Sequence, residues 1–163
     1  MAAAALKRLA LVHGVNLDML GLRPREHYGT LTLAELEQRV SRYAHERGFS
    51  VSTFQTNHEG VMIDHLHLLA GADVDAVIIN PGAWTHYSYA IRDALELLAA
   101  PFAEVHLSAI DDREEWRRRS VIADLATVRV AGKGLEGYLE AVDALAREVV
   151  AGRAPRRDIP CDE

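Results

Sequence analysis

The chain has 163 residues, enough for one domain with its own core. Its 49% hydrophobic and 26% charged content are those of an ordinary soluble globule, and a formal net charge of −6 argues against a general nucleic-acid binder. The one cysteine, Cys161, has no partner for an internal disulfide, and no stretch is long and apolar enough for a signal-peptide core or a membrane span, so a cytoplasmic protein is expected.

Leu9 to His13 is a short apolar run after Lys7-Arg8 and reads as the first strand. The connection that follows, Gly14 to Gly29, is long for a strand-to-helix loop, and long ordered loops in compact domains are often lids or binding loops. Thr32 and Glu35 have the spacing of a capping box. Leu33, Leu36, Val40 and Tyr43 then give a helix an apolar stripe, and Gly48 ends it. Phe49 to Phe54 alternates and is rich in β-formers, predicting the second strand. After the turn Asn57-His58-Glu59-Gly60, Val61 to Ala72 is predicted helical with Ile63, Leu66, Leu69 and Ala70 inward.

Ala76 to Asn80 is a nearly unbroken apolar run stopped by Pro81-Gly82, the pattern of a strand buried on both faces. A helix is predicted from Thr85 to Ala100, with Ala90, Ile91, Ala94, Leu95 and Leu98 on its inner side and Pro101 as its stop. Phe102 to Leu107 is the fourth strand. Asp111 to Arg119 is very polar. Ala126 to Ala131 is the fifth strand, and Leu135 to Val150 a last amphipathic helix. Five alternations of strand and helix imply an α/β doubly wound parallel sheet, with the flavodoxin-like order 2-1-3-4-5 as the best fit. The expected organisation is a single catalytic domain over residues 1–152, a lid at about 18–29, and a tail over 153–163.

In such sheets ligands bind at the carboxyl ends of the strands. That places Asn16, Asn80, His86, Glu104 and His106 where chemistry is expected. Tyr28 lies five residues after Arg23. Free tyrosine, with a pKa near ~10, is a poor base, and a nearby guanidinium favours its phenolate. The pair suits a lid carrying a general base, and equally a surface loop whose tyrosine packs on a helix. Glu104 and His106, two apart on a strand, face the same side. They read either as an oriented proton donor or as an ion pair at a sheet edge. Asn16 and Asn80 can bind ligand or cap a turn. His86, at the predicted start of a helix, is expected to be neutral. Arg113, Arg117 and Ser120 fall at the cleft rim, where an arginine suits a carboxylate or a hydroxyl-rich substrate.

Two patterns are decoys. Gly132-Lys133-Gly134-Leu135-Glu136-Gly137 matches G-x-G-x-x-G, but only one helix and a tail follow, so tight strand-to-helix packing explains its glycines. His58, His65 and His67 lack a ligand spacing, since residues two apart on a helix point to different faces. No metal is predicted.

The combination resembles the type II 3-dehydroquinate dehydratases along residues 8 to about 150. The carrying motifs are Gly14-Val15-Asn16-Leu17 with Leu20-Gly21, Arg23 before Tyr28-Gly29, Asn57-His58-Glu59-Gly60, Ile79-Asn80-Pro81-Gly82-Ala83 with Thr85-His86 and Arg92-Asp93-Ala94, Glu104-Val105-His106-Leu107-Ser108, Arg113-Glu114-Glu115 with Arg117 and Ser120, and Gly132 to Tyr138. The resemblance implies dehydration of 3-dehydroquinate to 3-dehydroshikimate, in the shikimate pathway of aromatic amino acid biosynthesis or in quinate catabolism. It also implies no cofactor and a homododecamer built from trimers. Carried over by motif, Tyr28 takes the C2 proton with Arg23 beside it, and the enolate is held through a water near Asn16. His106, oriented by Glu104, protonates the leaving hydroxyl. Asn80, His86 and Arg117 hold ring hydroxyls, and the amides of Leu107 and Ser108 hold the carboxylate. Asp93 reaches in from a neighbouring subunit.

The chain departs from the family pattern around these residues rather than at them. His13-Gly14-Val15-Asn16 stands for Asn-Gly-Pro-Asn, Pro24-Arg25 for Glu-Pro, and Ala109 for Asn. Arg118-Arg119-Ser120 stands for Arg-His-Ser or His-His-Ser, and Gly132-Lys133-Gly134 for Gly-Leu-Gly. Two rival readings follow: the same dehydration on a modified substrate such as 5-amino-3-dehydroquinate, or a flavodoxin-like binding protein without catalysis.

Overall fold

A computed structural model describes residues 5–152; the predicted tail, with Cys161, lies outside them. Five parallel strands, β1 (Lys7–His13), β2 (Phe49–Gln55), β3 (Ala76–Asn80), β4 (Phe102–His106) and β5 (Val128–Ala131), form one sheet in the order β2-β1-β3-β4-β5. This is the expected doubly wound order, and it puts β1, β3 and β4 in the middle. Every residue of β3 and β4 is buried. That accounts for the apolar run of β3 up to Ile79, because a strand covered on both faces has no solvent side to mark with polar residues, while β4 buries Glu104 and His106 among its apolar residues.

Side chains alternate across the sheet and build two cores. Leu9, Leu11, Ile78 and Val105 pack against Leu36 and Val40 of α2 (Leu33–His45) and against Tyr138, Val142 and Leu145 of α6 (Gly134–Val150). Ala10, Val12, Val77 and Ile79 pack against Met62 and Leu66 of α3 (Glu59–Gly71) and Ile91 and Leu95 of α4 (Tyr89–Glu96). Each such fully buried aliphatic chain contributes roughly 1.5–3 kcal/mol. Helix α2 starts at the predicted capping box: Thr32 accepts from the Glu35 amide, and Glu35 accepts from the Thr32 amide at 2.8 Å.

Three segments differ from expectation. The helix expected from Thr85 begins only at Tyr89, capped by Ser88, and ends at Glu96. Gly82–His86 is instead a 3-10 turn, so Thr85 and His86 stay buried beside the strand ends and Ala90 is exposed. The long loop after β1 folds into a 3-10 turn (Leu17–Met19) and one helical turn, α1 (Arg25–Tyr28). The polar block after β4 forms a 3-10 turn (Ile110–Asp112) and α5 (Glu115–Arg118).

Candidate active site

The loops leaving β1 and β3 touch backbone to backbone. A Cβ on Gly14 would lie 2.2 Å from the Pro81 carbonyl oxygen, and one on Gly82, at φ 64°, 2.6 Å from that of Val15. Any side chain there would force the loops apart. Asn16 follows at φ 65°, the one non-glycine residue with positive φ among those described. Asparagine tolerates this left-handed conformation better than most residues, and such geometry clusters at functional sites. Asn57, after β2, holds it: the Asn57 Oδ1 accepts from the Asn16 amide at 2.8 Å, and its Nδ2 donates to Asp18 at 3.0 Å.

Above the strand ends, Asn16, Arg23, Tyr28, Asn80, His86, His106, Leu107, Ser108, Arg113 and Arg117 line one cavity. The structure therefore gathers most of the residues singled out from sequence. Glu104 sits directly behind His106, fully buried. Asp93 is exposed on α4 and does not line the cavity of its own chain. A roomier groove at the opposite end of β4, lined by Leu98, Phe102 and Thr127, gathers no comparable set of groups. Chemistry, not size, decides between them.

The floor of the cavity is a buried acid–base pair. The Glu104 Oε1 lies 2.7 Å from the His106 Nε2 and accepts from the Thr85 hydroxyl at 2.6 Å and the Ser120 hydroxyl at 2.8 Å. Burial works against the carboxylate's charge. The hydrogen bond and charge of His106 and the two hydroxyls outweigh it and hold the carboxyl below its usual range. An ionised Glu104 can only accept, so His106 presents Nε2–H to it and Nδ1 faces the remaining space. The roles of Thr85 and Ser120 were not legible locally, because they come from separate loops.

Asn80 is committed below as well. Its Nδ2 donates to the buried Tyr138 hydroxyl at 2.9 Å, and its Oδ1 accepts from the Gly82 amide at 3.1 Å. His86 Nδ1 lies 2.7 Å from the Arg119 carbonyl oxygen, which fixes Nδ1 as the donor and leaves Nε2 an acceptor in the neutral ring. His86 is held below the usual histidine range chiefly by burial, against the Arg119 hydrogen bond. Neutrality was expected from a place at the start of a helix, but the ring lies before α4 and burial is the main cause.

On the opposite wall, Arg23 Nη2 donates to the Tyr28 hydroxyl at 2.8 Å, with its guanidinium 3.7 Å from the ring centroid. Arg113 Nη1 donates to the same oxygen at 3.0 Å, 85 positions along the chain. The sequence placed Arg113 only at the rim. Arg117 stacks over Trp116, and Trp116 meets His86 edge-on at 5.2 Å. Three guanidinium groups thus line a cavity that ends in a carboxylate-backed histidine.

Of the histidines set aside as a decoy, His65 stacks on Phe54 at 3.7 Å and His58 precedes α3. Among the described residues no group of three or more His, Cys, Asp or Glu could hold a metal ion. Of the decoy glycines two pack tightly: a Cβ on Gly132 would meet that of Ala109 at 2.9 Å and one on Gly137 the Val130 side chain at 3.1 Å, whereas Gly134 has open space and a φ of 54°.

Comparison with known proteins decides the family. The model described as "Dehydroquinase class II" matches residues 7–146. The chain belongs to the class II dehydroquinase family. A protein named 3-dehydroquinate dehydratase from Syntrophotalea carbinolica is 53% identical over 82% of this chain and 90% of its own. One of the same name from Pelobacter propionicus is 47% identical over 91% and 99%. The crystal structure of a type II dehydroquinase from Propionibacterium acnes superimposes with a TM-score of 0.84 at 41% identity, covering 89% of this chain and 99% of that one.

Proposed function

We propose that this class II dehydroquinase removes water from 3-dehydroquinate to give 3-dehydroshikimate. The observation that carries the reading is a tyrosine hydroxyl held by two arginines, facing the same cavity as a histidine backed by a buried carboxylate. The dehydration needs those two groups. The C2 proton lies beside the C3 ketone and is acidic enough for a phenolate base if the enolate is stabilised. Tyr28 takes that proton, and Arg23 and Arg113 compensate the charge of the phenolate that attacks. Electrons from the C2–H bond pass into the ketone, and the enolate oxygen is held through a water near Asn16. The enolate then collapses, the C1–O bond breaks, and His106 gives its proton to the departing hydroxyl. A C1=C2 bond conjugated with the ketone remains, and water leaves. Asn80, His86 and Arg117 hold ring hydroxyls, while the amides of Leu107 and Ser108 take the carboxylate.

The same reading assigns residues 18–29 as a lid and Asp93 to a neighbouring subunit's site, in a cytoplasmic homododecamer of trimers without a cofactor. The exposed Tyr87, Tyr89 and Trp116 near the site support such subunit contacts. Among the described residues no helix is long and apolar enough to cross a membrane.

The test is the absorbance of the conjugated enone on mixing protein with 3-dehydroquinate. A rise is expected, and Tyr28→Phe should abolish it with the fold intact. Near-normal turnover in that variant refutes the base assignment. A rise only with the 5-amino analogue moves the substrate, and none with either removes catalysis.

A further inference from the structure

Strand β5 lies at the edge of the sheet beside β4, and in the β4–β5 register Arg129 is the direct partner of Glu104. Partners across a ladder share a face, so Arg129 projects toward the side where Glu104 holds His106. Its Nε lies 3.8 Å from the Glu104 Oε2, and its Nη2 is 3.1 Å from Asp111.

Hydrogen-bond accounting explains the pairing. The Glu104 Oε1 receives His106, Thr85 and Ser120, whereas Oε2 is met only by Ser120 at 3.0 Å. The Ser120 hydroxyl has a single hydrogen, so when it serves Oε1 it leaves Oε2 without a donor. The Arg129 Nε is a buried donor with no acceptor at hydrogen-bond distance among the described residues. One under-served acceptor and one orphan donor thus face each other inside the protein, and buried polar groups rarely stay unmet.

We propose that Arg129 is a positioning residue for the acid half of the site: it is the second cation on Glu104 and keeps that buried carboxylate compensated once His106 has given up its proton. The inference rests on the dehydratase reading above. While His106 is protonated, Glu104 already has a counter-charge. After proton donation a neutral imidazole would leave a buried carboxylate bare, which is costly. Arg129 removes that cost and so favours proton release to the leaving hydroxyl. The other ionisable groups around the His106 cavity are His86, Arg117, Arg113, Arg23 and Tyr28, and none of them is bonded to Glu104. On its outer side Arg129 faces Asp111.

The experiment compares the parent protein with Arg129→Met and Arg129→Lys, measuring kcat and KM across pH together with thermal melting. Arg129→Met should lower kcat by about tenfold or more, leave KM within about twofold, and move the high-pH limb of kcat upward by about one pH unit. Arg129→Lys, which keeps the charge, should hold the limb near that of the parent. A packing role alone lowers the melting temperature and leaves the limb in place, so an unmoved limb in folded Arg129→Met overturns the proposal. If that variant is insoluble, Arg129→Thr, suited to an edge strand, carries the same expectation. Failure of the parent to turn over 3-dehydroquinate would sink the dehydratase reading instead. The His106 ring titration followed by NMR then decides for Arg129: a higher midpoint in Arg129→Met supports its role, and equal midpoints reject it.

Discussion

The floor of the cavity and the loop above it are built on opposite principles. On the floor, Glu104 and His106 are buried, come from a central strand, and are tied by hydroxyls from two further segments. In the loop, Arg23 and Tyr28 are only partly covered, and Leu22 and Met19 point to solvent. Beneath the loop lies a hollow bordered by Leu20, Leu31, Leu36 and Leu135, although Leu17 and Leu20 themselves reach the core. On the proposed reading the floor carries stability and chemistry in the same side chains, whereas Arg23 and Tyr28 would carry chemistry with little stability. Low packing is what the proposed lid would require in order to open.

The sharpest way to break this contrast is Glu104→Ala. Removing one partner of a buried ion pair strands the others, so the protein should lose about 3–5 kcal/mol in urea unfolding along with its turnover. Tyr28→Phe should lose turnover with unfolding free energy changed by no more than about 0.5 kcal/mol. Equal destabilisation by both would erase the distinction between floor and loop.

A smaller effect should come from the two arginines on Tyr28. Arg23→Ala and Arg113→Ala should each lower kcat by about 10²–10³, the range for a lost charge-stabilising donor, at unchanged melting temperature. A near-normal Arg113→Ala enzyme would leave Arg23 as the one effective partner.

The smallest effect concerns the floor below Asn80. His13 is fully buried, its ring nitrogens have no hydrogen-bond partner among the described residues, and burial pushes it down to about 4 despite a Glu37 oxygen 3.5 Å away. The unfolded chain takes up this proton near pH 6.5 and the folded one only near 4, so acid favours unfolding across that window. Stability should fall by up to about 3 kcal/mol between pH 6.5 and 4 from this residue alone. His13→Gln should flatten that part of the curve, and an unchanged slope would assign the acid sensitivity elsewhere.

Local chemistry along the chain was enough for several features. The capping box at Thr32 and Glu35, the buried run of β3, and the alternation of strands with helices are all short-range patterns, and all appear as expected. Arg23 and Tyr28 are five residues apart, and Glu104 and His106 two, so backbone geometry alone nearly joins them. The expected start of the helix at Thr85 was too early because Pro81-Gly82 and the Ser88 cap outweigh the apolar spacing that suggested it.

What tertiary structure decided is who stands second around each group. Arg113 on Tyr28, Thr85 and Ser120 on Glu104, Asn57 on Asn16, Tyr138 on Asn80 and Arg129 beside Glu104 are separated by 16 to 85 positions. None has a local signature, since an arginine or serine in a polar loop looks the same whether it meets solvent or a buried carboxylate. The sequence determined which strands would be central and which side chains would stand at their ends. Only the order of the strands in space, set by burying two apolar faces at once, decided which distant residues would meet them.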